Sequence, residues 1–178
     1  MPNVERYGPG EEASDFNPGD FILTHRFRPI AALIKIGQEV RFRGRDSTYA
    51  HWTHCALVVA ADGALVEAES VGVTRSPISK YQSKEYHLVR LGLEFTPEGR
   101  QRALAYANSQ VGQAFGYRAL TGSALFLLFG LRLKLMRRNH QICSSLVVRA
   151  LQAGGLLPDA DPDLILPAHL AKLYDVRP

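Results

Sequence analysis

The pattern of apolar and polar residues in the first half of the chain predicts β-strands. Residues 21–25, FILTH, form a short apolar run directly after a turn. Residues 51–60 and 64–73 are two further apolar, β-branched runs. Asp62-Gly63 lies between them and predicts a hairpin with a two-residue turn. Residues 86–93 predict another strand of the same kind.

Helical patterns occur once between these strands and then in the rest of the chain. Residues 28–42 have apolar positions at helical spacing, with a proline near the first turn. Thr96 suits the N-cap of a second helix, and residues 144–155 and 167–174 predict two more. Because strands come mostly before Thr96 and helices mostly after it, the sequence predicts an α+β fold with a small antiparallel sheet packed on helices.

Length and composition favour a single globular domain. The chain has 178 residues, enough for one sizeable core, and we expect a flexible leader over residues 1–16 and one domain over residues 17–178. The net charge of +4 is modest. A basic stretch without a recognition helix is expected to be a solvated face, so no nucleic-acid partner is predicted. Its basic residues are Arg26, Arg28, Lys35, Arg41, Arg43 and Arg45.

The longest apolar stretch runs from Ala124 to Met136. Arg132 and Lys134 interrupt it, so it is too short to span a bilayer. The N-terminus has no apolar signal segment, and the two cysteines make no disulfide framework. We therefore expect a cytoplasmic protein with reduced thiols. Residues 124–138 are interpreted either as a core helix or as a lipid-facing element that contacts a membrane surface.

Cys143 comes directly before a predicted helix. Ser144 and Ser145 favour a helix start, so Cys143 is expected in the first turn, where N–H groups and the helix dipole stabilise a thiolate. Three basic residues just before it add positive potential: Arg137, Arg138 and His140. By position alone, Cys143 fits a free, buried structural thiol equally well.

A thiolate nucleophile needs a base, and the predicted hairpin carries one. His54 starts the first strand, and alternation places it on the same face as Glu67 and Glu69 of the second strand. Either acid could then orient the imidazole. The alternatives are a core histidine bonded to a backbone carbonyl, and an acidic face that is simply solvated at a sheet edge.

Taken together and in order, the segments GDFIL, THCALVV, LVEAESVGV, VGQAFGY, CSSLVVRAL and LPAHLAKL resemble the NlpC/P60 superfamily of papain-like cysteine hydrolases. The likeness is to its circularly permuted, YiiX-like branch, which is related to lecithin:retinol acyltransferases. In that branch the histidine-bearing hairpin precedes the nucleophile helix, as it does in this sequence. The resemblance covers roughly residues 17–175.

The resemblance implies a role for each matching residue. Cys143 matches the nucleophile, and His54 matches the general base. Glu67 matches the residue that orients the histidine. Glu69 is its rival, because it lies two residues later in the strand and therefore has the same parity, that is, it points to the same face. Tyr117, in GQAFGY, matches a tyrosine near the active site and would contact the oxyanion or the substrate.

The implied activity is hydrolysis of an amide or acyl bond through a thioester acyl-enzyme. The substrate would be a peptide, a cell-wall peptide or an N-acyl lipid, and no cofactor is expected. A lipid-directed acyltransferase or thioesterase of the same fold is the enzymatic alternative, and an inert binding module is the other. No metal is expected, because His51 and His54 would point to opposite faces of a strand.

Overall fold

The computed structural model describes residues 3–25, 29–115 and 140–178. Within them, six strands form one sheet in the order β1-β6-β2-β3-β4-β5, and each neighbouring pair is antiparallel. The strands are β1 (Asn3–Tyr7), β2 (Phe21–Thr24), β3 (His54–Val58), β4 (Ala64–Glu69), β5 (Gly72–Pro77) and β6 (Tyr86–Arg90). The predicted strands are therefore present, although the second half of the hairpin turns back earlier and forms β4 and β5.

The expectation of a flexible leader is wrong for residues 3–7. They form β1, which pairs with β6 from Asn3 opposite Arg90 to Tyr7 opposite Tyr86. The Arg90 guanidinium donates to both carboxylate oxygens of Glu5 at 2.5 and 2.8 Å. This edge strand has only one apolar aliphatic residue, so its sequence carries little of the alternation that marks a half-buried strand.

The described residues also include four α-helices, so the predicted α+β class is confirmed. They are α1 (Pro29–Arg41), α2 (Pro97–Ser109), α3 (Cys143–Ala153) and α4 (Pro167–Leu173). Short 3-10 helical segments cover Gly44–His51, Ile78–Tyr81 and Gly92–Glu94. The predicted cap is also present, because Thr96 Oγ1 accepts a hydrogen bond from the Gly99 N–H at 3.0 Å.

The β3–β4 hairpin has a longer connection than predicted. A two-residue turn would place Val58 opposite Glu67, whereas Val58 lies opposite Leu65. The Val59 N–H donates to the Ala64 carbonyl at 2.7 Å, which leaves residues 60–63 as the loop. The register differs by two residues, and an even shift keeps every side chain on its predicted face.

The two faces of the sheet have separate apolar cores. Helices α2 and α3 pack on each other, and α3 crosses over β3 and β4 on the face that carries Leu23, Cys55 and Leu57. The opposite face carries Ile22, Ala56 and Val58 and is covered by residues that include Tyr81. His54 is the first residue of β3, and α3 packs on this strand with its first residue beside His54.

Two glycines allow α2 and α3 to approach. A Cβ added at Gly99 would lie 2.5 Å from the Gly154 carbonyl oxygen, and one added at Gly154 would overlap the Phe95 ring. These are contacts with backbone and with a buried ring, so little of the surroundings can give way. The glycines thus help to set the position of α3 over the sheet.

We expect Gly99→Ala to lower the free energy of unfolding by about 2 kcal/mol, because the new methyl group forces α2 away from α3. Urea unfolding followed by circular dichroism measures this change. Gly8→Ala is the matched control, since a Cβ there meets only ordinary contacts at 3.6 Å. Equal stability of the two variants would show that the helices do not depend on this close approach.

Candidate active site

Cys143 is the first residue of α3, as the sequence predicted. The two serines that follow it fix this helix start. Ser145 Oγ accepts from the Ile142 N–H at 3.0 Å, and Ser144 Oγ donates to the Ile165 carbonyl at 2.6 Å. Both serines are buried, as is Cys143, which is 4% exposed. The thiol therefore lies at the positive end of a helix whose first turn is held on two sides.

The chain enters α3 through a short parallel pairing. Strand β8 (His140–Gln141) pairs with β7 (Ala114–Phe115), and the Val73 N–H of β5 donates to the carbonyl of neighbouring Gln113 at 2.8 Å. The segment before Cys143 is thus attached to the same sheet that carries the hairpin. This attachment, together with the packing of α3 on β3, brings the two parts of the site together.

The Cys143 side chain lies against both His54 and Cys55, and its interaction with each of them lowers the pKa of the thiol. Cys55 is fully buried in the core, and no sequence pattern indicated its contact with Cys143. Both cysteines are free thiols. Two successive residues of β3 therefore contact the same sulfur, because α3 begins directly over the start of the strand.

His54 joins Cys143 to an acid. Its Nε2 lies 2.6 Å from Glu67 Oε2, and both side chains are buried. Since Nε2 faces the carboxylate, Nδ1 is the ring nitrogen that remains for the thiol. The imidazole thus lies between the Cys143 thiol, with which it interacts, and the Glu67 carboxylate, to which it bonds.

The structure distinguishes the two acids that the sequence left open. Glu67 contacts the imidazole, whereas Glu69, on the same face, accepts from Lys80 Nζ at 2.7 Å. Lys80 Nζ also donates to Glu67 Oε1 at 2.7 Å, and the Tyr81 hydroxyl donates to Glu67 Oε2 at 2.5 Å. Neither Lys80 nor Tyr81 was singled out from the sequence, since both come from outside the hairpin.

These contacts shift the ionisation of each group. Hydrogen bonds from Cys55 hold the pKa of Cys143 well below its ordinary value against the effect of burial, and His54 lowers it further. Burial alone would lower the pKa of His54, but Cys143 and Glu67 outweigh it and raise the pKa to about 8. Burial alone would likewise raise the pKa of Glu67, but His54 and Lys80 hold it below its usual range. A thiolate beside an imidazolium follows from these directions.

The pKa of Cys55 moves the opposite way. Burial raises it well above the ordinary value, and the Cys143 sulfur raises it further. The two thiols of the chain are therefore in contact but differ in ionisation. One is poised as a thiolate, and the other stays protonated and can donate to it.

Other expectations concern His51, Tyr117 and the apolar segment 124–138. His51 ends a 3-10 helix instead of starting a strand, and its Nε2 lies 2.9 Å from Glu85 Oε2, away from Glu67. Among the described residues, no group of three or more histidine, cysteine or acidic side chains is arranged to hold a metal ion. Tyr117 and the apolar segment 124–138 lie outside the described residues, so their predicted roles stay predictions.

No family model matches the chain, and a search of curated proteins gives no match. In the described residues, no helix is both long enough and apolar enough to cross a membrane.

Proposed function

We propose that this protein is a papain-like thiol hydrolase of the circularly permuted NlpC/P60 type, which cleaves an amide or acyl bond through a thioester. The observation that carries the proposal is the buried chain of contacts from Cys143 to His54 to Glu67. A nucleophile, a base and a group that orients the base are the parts that covalent acyl transfer requires.

The order of the elements supports the same proposal. The His54 hairpin precedes the Cys143 helix along the chain, and the histidine starts a strand of an antiparallel sheet packed on that helix. This is the order of the permuted branch that the sequence resembles. An inert binding module would have no need to keep a fully buried carboxylate aimed at a histidine that contacts a thiol.

The proposal assigns a role in each step to a residue of the site. The Cys143 thiolate attacks the carbonyl carbon, and the N–H groups of the first turn of α3 stabilise the oxyanion. The His54 imidazolium gives its proton to the leaving amine or alcohol, which leaves a thioester on Cys143. Neutral His54 then takes a proton from water as that water attacks the thioester, and the acid product and the thiolate are released. Glu67 holds the imidazole orientation throughout.

The test of the nucleophile is the pH dependence of alkylation. We expect iodoacetamide to modify Cys143 at about pH 6, where an ordinary thiol reacts slowly. Peptide mapping by mass spectrometry separates Cys143 from Cys55, which should stay unmodified because it is fully buried with a raised pKa. The proposal would be contradicted if the alkylation rate of Cys143 rose only as the pH approached the pKa of an ordinary thiol.

The test of the reaction is a substrate panel with the wild type and Cys143→Ala. The panel contains muropeptides and N-acyl lipids, the two substrate classes that the resemblance implies. We expect turnover of one class by the wild type and none by Cys143→Ala. If an acyl group is trapped on Cys143 and then passes to an added acceptor instead of water, the protein is the acyltransferase of the alternative. Unchanged turnover by Cys143→Ala would exclude the thiol mechanism.

A further inference from the structure

The 3-10 helical turn Ile78–Tyr81 places two side chains on the buried acid of the site. Lys80 Nζ donates to Glu67 Oε1 at 2.7 Å, and the Tyr81 hydroxyl donates to Oε2 at 2.5 Å. The same Oε2 faces His54 Nε2 at 2.6 Å. Both carboxylate oxygens are therefore engaged, and the carboxylate cannot turn away from the imidazole without breaking one of these bonds.

The turn itself is fixed to the catalytic hairpin. The Ile78 N–H donates to the Gly63 carbonyl in the β3–β4 loop at 3.0 Å. The Tyr81 ring is fully buried and lies parallel to the His54 ring, with centroids 6.3 Å apart. The donors thus come from an element that packs against both the loop and the histidine.

Lys80 has a second role in the electrostatics of the site. It also donates to Glu69 Oε2 at 2.7 Å and to Ser76 Oγ at 3.3 Å, and its side chain is 28% exposed. One ammonium group is therefore shared by two carboxylates, of which Glu67 is fully buried. Without this cation, two like charges would face each other at low solvent exposure, and one of them would take up a proton more readily.

We propose that Lys80 and Tyr81 are positioning residues of the hydrolase, which keep Glu67 ionised and aimed at His54 so that the Cys143–His54 ion pair persists under mildly acidic conditions. This inference rests on the proposed function. The charges then alternate from sulfur to imidazolium to Glu67 to Lys80 to Glu69, and each neighbour stabilises the next. Lys80 Nζ bonds directly to Glu67, and Glu67 bonds to the imidazole, so the lysine acts on His54 through Glu67.

The experiment follows the second-order rate constant of Cys143 alkylation by iodoacetamide against pH. In Lys80→Met, Glu67 loses its cation while Glu69 stays, so Glu67 takes up a proton at higher pH and no longer holds the imidazolium. We expect the acid-side midpoint of the profile to rise by about one pH unit. Tyr81→Phe keeps the ring but removes a donor, and we expect a smaller rise in the same direction.

Three further variants separate charge from structure. Lys80→Arg keeps the cation and should restore the wild-type midpoint. Glu69→Gln in the Lys80→Met background removes the like charge and should move the midpoint back toward the wild type. Lys172→Met is the matched control, since it removes a lysine from a different ion pair, with Asp46, and should leave the midpoint unchanged.

The outcomes distinguish this inference from the proposed function. If wild-type Cys143 is not alkylated at pH values below the pKa of an ordinary thiol, the proposed function fails and this inference fails with it. If the wild type is reactive at low pH but Lys80→Met and Tyr81→Phe share its midpoint, only the inference is overturned. Should Lys80→Met fold poorly, Tyr81→Phe alone gives the decision, because it removes a donor to Glu67 without changing a charge.

Discussion

Replacement of His54 by glutamine is expected to slow the alkylation of Cys143 about 100-fold at about pH 6. The variant loses the imidazolium that bonds to the sulfur, while burial of the thiol, which raises its pKa, is unchanged. At about pH 6 the wild-type thiol is mostly ionised, whereas a thiol whose pKa lies two units above the pH is ionised to about 1%, and this difference gives the 100-fold effect. The measurement is the rate of iodoacetamide incorporation at Cys143.

The shape of the profile separates ionisation from access. At high pH both proteins carry a thiolate, so their rates should approach the same plateau if the variant changes ionisation alone. His51→Gln is the matched control, because it removes an imidazole three residues earlier that pairs with Glu85. A His54→Gln profile that overlays the wild type would mean that Cys55 and the helix terminus are sufficient to hold the thiolate.

The contact between His54 and an acid of the hairpin was predictable from the sequence, even though the predicted turn was wrong. Side chains in a strand alternate with a period of two, and the loop is two residues longer than expected. An even error leaves His54, Glu67 and Glu69 on one face, whereas an odd error would have separated them. Parity is thus a more robust prediction than register.

Strand alternation alone could not choose between Glu67 and Glu69, because it places both on one face, and only the family resemblance favoured Glu67. The choice is decided by Lys80 and Tyr81, which belong to a 3-10 turn after β5 and reach Glu67 across the fold. A single 3-10 turn has no hydrophobic period that a sequence pattern can detect. The only signal was a lysine next to a tyrosine, a short distance after two acids in an apolar strand.

The contact between Cys143 and Cys55 escaped prediction for a different reason. The serines correctly indicated the start of α3, and strand alternation places Cys55 on the opposite face from His54. Where a helix crosses a sheet depends on how the two surfaces pack, including the close approach at Gly99 and Gly154. Such long-range packing is not encoded in any local pattern of the chain.

The second large effect is expected on folding stability. Glu67→Gln keeps the shape of the side chain but removes a charge that is fully buried and bonded to His54, Lys80 and Tyr81. Removal of one partner from a buried ion pair leaves the others poorly compensated, and we expect a loss of about 3 kcal/mol near pH 6. Urea unfolding of the wild type and the variant at matched pH measures the difference.

The destabilisation caused by Glu67→Gln should change with pH, because Glu67 and His54 ionise differently in the folded and unfolded states. The pKa of Glu67 is lowered from its usual 4.5, so its contribution is present above pH 4.5 and is lost as the pH falls toward the folded value. The pKa of His54 is raised from 6.5 to about 8, so its contribution is complete below pH 6.5 and is lost as the pH rises through 8. The difference in the free energy of unfolding between wild type and variant is therefore largest between pH 4.5 and pH 6.5.

On the acid side, one extra proton is taken up when the wild type unfolds. Its free energy of unfolding should then fall by about 1.4 kcal/mol per pH unit more steeply than that of Glu67→Gln below pH 4.5. Glu69→Gln is the matched control, because Glu69 bonds to the same lysine but not to the histidine, and it should change this slope less. A stability difference that stays constant from acid to alkaline pH would mean that Glu67 contributes packing alone, and the buried carboxylate would then have no part in holding the imidazolium.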